Sequence, residues 1–281
     1  MNPLDGKAIA QKIFANLKAK PTPKKFLAAI LVGKDPASAS FLKQKEKTAV
    51  ELDVDFRLYR LDDTTTNDDL REEVGRIARQ GTVGGVIVQL PLPKHLNKHY
   101  ILNAVPREKD VDVLGERAIG AFYTGRNSVV PPAVGVLDEI LRYSTFDIQH
   151  STVAVIGLGF LVGKPIATWL MGRAKEILLF DKGSDFSLLK NADLVISGAG
   201  SVGLVKPEML KDDASVIDFG YGASQSANGK SQLHGDFDAS QLTTNDQQLT
   251  TNFYTPTPGG TGPILVAKLF ENFFTISREN G

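Results

Sequence analysis

The sequence predicts an α/β protein built from two parallel-sheet domains. Short apolar runs of strand length alternate with segments of helical period, and this alternation occurs in two separate series. One strand-like run leads directly into a glycine-rich turn and then a helix, as in a dinucleotide-binding βαβ unit. Repeated strand–helix units of this kind require parallel pairing through right-handed crossovers.

The first series begins after an amphipathic, basic opening stretch, which reads as an ordinary first helix. It carries Asp5 and no arginine within its first 20 residues, unlike a transit peptide. Residues 26–32 (FLAAILV) form an almost wholly apolar run ending at Gly33, the pattern of a buried parallel strand. Pro36 and Ser38 open a helix to about Leu52, and residues 54–59 alternate as a strand. Thr66 is a candidate cap for a helix through Gln80. Residues 85–90 (GVIVQL) form another buried strand, stopped by Pro91 and Pro93. The second series has strands at 152–156, 177–180, 193–197 and 215–218, with a helix at 164–173. Residues 134–143 are expected to form a helix bridging the two series. The polar stretch 223–248 reads as a surface loop with one short strand.

Composition narrows the function classes. The 281 residues are 42% hydrophobic and 23% charged, enough for a large core without staples. Cysteine is absent, which excludes disulfides, thiolate metal sites and a cysteine nucleophile, and a cytoplasmic location is expected. The 32 basic and 32 acidic residues balance, so neither nucleic acid nor an anionic membrane is an expected partner. No apolar run approaches the roughly 20 residues that span a bilayer. His95 and His99 have helical spacing for a metal pair, but no HExxH glutamate lies between them, and no metal is expected. No glycine-flanked serine elbow is present.

The candidate nucleotide loop is Gly157-Leu158-Gly159-Phe160-Leu161-Val162-Gly163. Glycines admit a tight turn and close approach of a pyrophosphate, and the following helix N-terminus supplies amide donors. Its GxGxxxG spacing is one residue longer than the commonest fingerprint. Asp181 ends the next strand about 20 residues beyond Gly159, where a carboxylate accepts hydrogen bonds from the adenosine ribose. A carboxylate there repels a 2′-phosphate, so NAD is expected over NADP. Lys182, beside it, can pair with a phosphate and keeps NADP as the alternative.

Near the C-terminus, residues 255–263 read TPTPGGTGP, a loop stiffened by prolines and opened by glycines. It closely resembles the PGGVGP signature of the methylenetetrahydrofolate dehydrogenase/cyclohydrolase family. Residues 32–38 (VGKDPAS), 88–93 (VQLPLP), 109–112 (KDVD), 162–165 (VGKP) and 216–218 (VID) match the same family, and the resemblance spans essentially the whole chain.

The resemblance implies an N-terminal α/β folate domain over 1–119, completed by a C-terminal helix at 264–281. It implies a Rossmann-type NAD(P)-binding domain over 120–263, with a cleft between the two. It also implies a homodimer and tetrahydrofolate derivatives as ligands. Lys45 falls on the family's active-site lysine, one helical turn after Phe41. Gln89 falls on the glutamine that orients it, and Asp112 on the pterin-binding aspartate. Leu90, Pro91, Pro258, Gly259, Gly260 and Pro263 fall on substrate-binding positions, with Phe41 as a stacking face. Gly157, Leu158, Gly159, Val162, Gly163, Asp181 and Lys182 are the expected cofactor contacts. The implied activity is oxidation of 5,10-methylenetetrahydrofolate, followed by hydrolysis of the methenyl product to 10-formyltetrahydrofolate.

The chain departs from the family pattern at four places. Phe41 replaces a tyrosine, Val113 replaces a glycine, and residues 130–134 (VPPAV) lack a threonine. Leu158-Gly159 replaces the Arg-Ser pair that helps hold the NADP phosphate, which reinforces the NAD expectation. The first and third bear on cyclohydrolase efficiency, so a dehydrogenase with weakened hydrolysis is the nearest rival reading. A shikimate-type dehydrogenase would not explain the QLPLP and PGG segments. A nucleotide sensor with a decayed site would not explain the joint presence of Lys45, Gln89 and Asp112.

Overall fold

The computed structural model describes residues 1–225, 231–242 and 252–279. In chain order the elements are β1 (Asn2–Pro3), α1 (Gly6–Lys18), β2 (Phe26–Val32), α2 (Pro36–Glu51), β3 (Phe56–Leu61), α3 (Asn67–Arg79) and β4 (Val83–Val88). Next come α4 (Lys98–Leu102), α5 (Glu116–Tyr123), α6 (Pro132–Ser144), β5 (Thr152–Ile156), α7 (Gly163–Leu170), β6 (Glu176–Phe180) and β7 (Leu194–Ser197). The chain continues with β8 (Ser215–Asp218), β9 (Gly222–Gln225), β10 (Ser231–His234), β11 (Phe253–Tyr254) and α8 (Thr261–Glu279). Local sequence explains several boundaries. The Asp35 carboxylate accepts the Ser38 N–H at 2.7 Å and caps α2, with Pro36 in its first turn. Thr66 caps α3 by accepting the Asp69 N–H at 3.2 Å.

Contacts divide the chain into two compact units. One comprises 12–132 with 266–281, the other 1–11 with 133–265. Residues 1–11 group with the second unit because β1 pairs in parallel with β11 at its sheet edge. That pairing joins strands too short to be legible from hydrophobic pattern.

In the first unit β2 lies between β3 and β4 in a parallel three-stranded sheet. Every residue of β2 and β4 is buried, which accounts for their unbroken apolar runs. The C-terminal helix packs directly on β4. A Cβ at Gly85 would lie 2.8 Å from the Phe273 ring and 2.7 Å from Val111, so only glycine admits this approach.

The second unit holds a six-stranded sheet in the order β1-β11-β8-β7-β5-β6. From β5 the chain steps to β6 on one side and then returns to β7 on the other. This reversal creates the switch point where open α/β sheets bind ligands. Its core is lined by Ala154, Ile156, Phe180, Val195, Val205 and Val216. Helix α6 belongs to this unit from Ala133 onward.

The polar stretch after β8 differs from expectation. It contains two antiparallel strands, β9 and β10, rather than a loop with one strand. Residues 226–230 and 243–248 of that stretch lie outside the described residues. Among the described residues no helix is long and apolar enough to cross a membrane.

Candidate active site

Lys45 stands on α2, half-buried, one turn beyond Phe41. Its Nζ donates to Gln89 Oε1 at 3.1 Å, and Gln89 Nε2 donates to the Leu90 carbonyl at 2.7 Å. The glutamine amide is thereby held at both ends. Its backbone is held too, since the Gln89 N–H continues the β2–β4 ladder by donating to the Ile30 carbonyl at 2.9 Å. Burial pushes the Lys45 ammonium below its ordinary pKa, and the nearby Asp112 carboxylate opposes part of that fall. The Asp112 carboxyl is correspondingly pushed up by burial and pulled back by Lys45. The structure thus brings the three expected catalytic residues into one electrostatic group within one unit.

Asp112 is placed by residues to which the sequence assigned no role. Asp110 bridges Val86 in parallel register, which carries Asp112 toward the end of β4 where Gln89 follows. Asn272, on α8, donates to the Val111 carbonyl at 2.9 Å and to the Val130 carbonyl at 2.8 Å. Lys109, part of the KDVD motif, instead donates to the Ala78 and Gln80 carbonyls and closes the end of α3. The Asp110 carboxylate is buried and accepts the Leu114 and Gly115 N–H groups at 2.9 and 2.7 Å. Burial still raises it to about 7, with Asp112 adding repulsion.

Val113 occupies the position where the family has glycine and adopts φ +56°. A β-branched residue there is strained by about 1–3 kcal/mol. Its side chain is only 1% exposed, and burying it offsets a comparable amount. Ser38, on the Lys45 side of α2 at helical spacing, has a buried Oγ without a hydrogen-bond partner.

The other expected substrate residues divide between the units. Phe41 is 38% exposed, Leu90 is half-buried and Pro91 exposed, all in the unit of Lys45. Pro258, Gly259, Gly260 and Pro263 lie in the unit of β5. There Gly259 takes φ +105°, and the Gly260 N–H donates to the Pro256 carbonyl at 2.7 Å. Thr255 and Thr261 tie this loop to β8 through the Asp218 backbone, at 2.7 and 2.9 Å.

The nucleotide loop follows β5 as expected. Gly157 has φ +80°, and a Cβ there would lie 2.6 Å from Ala199 Cα. A Cβ at Gly163 would lie 2.0 Å from the Gly157 carbonyl oxygen, so these two glycines are demanded by the turn itself. Gly159 faces open space and is exposed, so no internal contact demands a glycine there. Leu158 is half-buried, and Val162 packs on Gly198. Asp181 ends β6, exposed, with its Oδ1 accepting the Lys182 N–H at 2.9 Å. His95 contacts the Thr65 carbonyl, and among the described residues no cluster suits a metal ion.

Fold and site together define a two-domain α/β enzyme, with a dinucleotide-binding sheet in one unit and a lysine–glutamine–aspartate centre in the other. The chain belongs to the tetrahydrofolate dehydrogenase/cyclohydrolase family: residues 4–112 match its catalytic domain and residues 131–280 its NAD(P)-binding domain. It is 34% identical over 279 residues to the bifunctional protein FolD of Staphylococcus aureus (strain Newman), covering 96% of this chain and 94% of that one. The bifunctional FolD methylenetetrahydrofolate dehydrogenase/cyclohydrolase of Campylobacter jejuni has a crystal structure that superposes with a TM-score of 0.88 at 31% identity, covering 99% of each chain. The Trypanosoma brucei dehydrogenase-cyclohydrolase, solved with NADP and an inhibitor, gives 0.87 at 28% identity over 99% of this chain and 97% of its own.

Proposed function

We propose that this chain oxidises 5,10-methylenetetrahydrofolate with a nicotinamide dinucleotide, preferring NAD, and hydrolyses the methenyl product to 10-formyltetrahydrofolate. The observation that carries this reading is the Lys45–Gln89 hydrogen bond beside Asp112, in a chain of this family. In the oxidation the methylene carbon gives up a hydride to the nicotinamide, and its flanking nitrogens stabilise the resulting cation. No proton acceptor is needed, so positioning and electrostatics carry the step. Asp112 accepts hydrogen bonds from the amino-pyrimidinone edge, and Phe41 offers a stacking face.

In the hydrolysis, water adds to the methenyl carbon and loses a proton. A ring nitrogen then gains a proton as its bond to that carbon breaks, and the second water proton leaves to solvent as the formyl group forms. Lys45, its pKa lowered by burial, takes the first proton and returns it to the leaving nitrogen. Gln89 holds its amine in place. Phe41, without a hydroxyl, favours a second reading in which hydrolysis is weakened.

The NAD preference rests on Asp181 and on Leu158-Gly159, which offers a 2′-phosphate no positive partner. The deciding experiment measures kcat/KM for oxidation with each cofactor, and methenyl hydrolysis, on one preparation. NAD is expected to exceed NADP, and Asp181→Ala to narrow the gap. A clear NADP preference in the parent sinks the cofactor assignment, and absence of enzyme-dependent hydrolysis selects the second reading.

A further inference from the structure

The turn after β7, residues 198–201, is held by a carboxylate that the reaction does not use. Asp236 is fully buried, and its Oδ2 accepts the Ser197 hydroxyl at 2.6 Å and the Ala199 and Gly200 N–H groups at 2.8 and 3.2 Å. Its Oδ1 accepts the Ser201 N–H at 2.6 Å. Gly200 has φ +66°, so the turn aims three successive amides at one point, an arrangement that elsewhere binds anions. Here the chain's own carboxylate occupies that point.

A second carboxylate interlocks with the first. Asp218, at the end of β8, accepts the Gly220 N–H at 2.6 Å and the Phe237 N–H at 2.9 Å. Each aspartate also rests against a glycine. A Cβ at Gly220 would lie 2.3 Å from the Asp236 carboxyl, and one at Gly235 would lie 2.0 Å from that of Asp218. The turn after β7, the loop after β8 and the 235–237 segment are therefore locked together at the carboxyl edge of the sheet.

That turn forms one wall of the switch point between β5 and β7. Ala199 is the residue that a Cβ on Gly157 would strike, and Val162 is the one that a Cβ on Gly198 would strike. With the adenosine ribose at Asp181, over the β6 side, the other half of a dinucleotide extends past the Gly157–Gly163 loop toward β7. We propose that Asp236 is a positioning residue for the nicotinamide half of the cofactor, setting the 198–201 turn as the wall against which it binds. This rests on the reading of Gly157–Gly163 and Asp181 as the cofactor site.

The test uses the full chain and both activities, because methenyl hydrolysis needs no nicotinamide. Asp236→Asn keeps the shape and one accepting oxygen, while Ser197→Ala removes a single bond and leaves the carboxylate in place. Asp236→Asn is expected to raise the KM for NAD by about 10-fold or more, with a fall in oxidation kcat, because bonds to a buried charged group are lost. Ser197→Ala should move the KM in the same direction by a smaller factor. Hydrolysis should stay within about 2-fold of the parent in both variants, because that step uses no nicotinamide and both variants leave Lys45, Gln89 and Asp112 unchanged. Parental KM values for NAD in both variants overturn the proposal, and so does a parallel loss of hydrolysis, the mark of a merely structural role. A parent that oxidises its substrate with neither NAD nor NADP overturns the functional reading itself, which the parental assay reveals before any variant is compared.

Discussion

Around β4 the candidate residues are ionisable side chains whose charge states are set by burial: Lys45 pushed down, Asp112 pushed up, and Asp110 raised to about 7. Around β5 they are backbone positions, where Gly157 and Gly163 have no room for a methyl group and Gly159 has ample room. The carboxylates at that sheet edge, Asp218 and Asp236, are spent on backbone amides. The first region therefore depends on charge at given places, and the nucleotide turn of the second on close approach of main chain, with the Asp181 and Asp236 carboxylates beside it. Removing the Lys45 charge should injure the chemistry of the first region, whereas in the second a single carbon added at Gly157 or Gly163 should injure the turn itself.

The largest effect that could break this contrast is at Lys45. A positioned acid–base group contributes about 10²–10⁴-fold. Lys45→Met should lower methenyl hydrolysis by about that factor while impairing methylene oxidation less. Parental enzyme-dependent hydrolysis in this variant would remove Lys45 from the reaction and leave the charge-based account without its centre.

A smaller effect concerns pH and stability. The folded Asp110 carboxyl titrates near 7, against 3.8 when unfolded, so between roughly pH 4 and 7 the folded chain holds a proton that the unfolded chain releases. Stability from this group should therefore rise as pH falls from 8 to 5, and be lost as pH rises through 7. Asp218, raised to about 6, acts in the same direction. Urea unfolding over that range should report a change of about 4 kcal/mol, of which Asp110→Asn removes about two thirds and leaves the Asp218 share. An unchanged slope in the variant would mean that Asp110 stays ionised down to pH 5 and does not titrate in that range.

The smallest effects sharpen the backbone side. Gly163→Ala should cost about 1–3 kcal/mol by overpacking and lower the melting temperature by several degrees. Gly159→Ala should melt within about 0.5 kcal/mol of the parent, since its Cβ meets nothing, and any loss should fall on cofactor KM. Equal melting curves for the two alanine variants would refute the steric account of the loop.

Much of the fold was legible because local chemistry carries it. The unbroken apolar run of residues 26–32 could only be a buried strand, Thr66 carried its cap in its own hydroxyl, and the glycines after β5 announced a strand–helix turn. Lys45 and Gln89 were legible only through resemblance, since a lysine in a charged helix face and a glutamine at a strand end have ordinary explanations. Asp110, Asn272 and Asp236 were not legible as site residues. Asp110 stood in a recognised motif without a task, Asn272 acts on a carbonyl 161 positions away, and Asp236 lay in a polar stretch that read as a loop.

By itself the sequence determined the long apolar strands and most of the longer helices, where the nucleotide turn falls and which family the motifs resemble. These follow from side-chain period, backbone-restricted residues and caps, which act over a few neighbours. Tertiary structure alone decided that β1 closes the sheet edge beside β11, that α8 packs on β4 through Gly85, and that Lys109 caps a helix. It also decided that Asp236 fills a nest of amides. Each of these matches a buried donor or a close-packed surface with a partner distant in the chain, and such a pairing exists only once the fold has brought the two together.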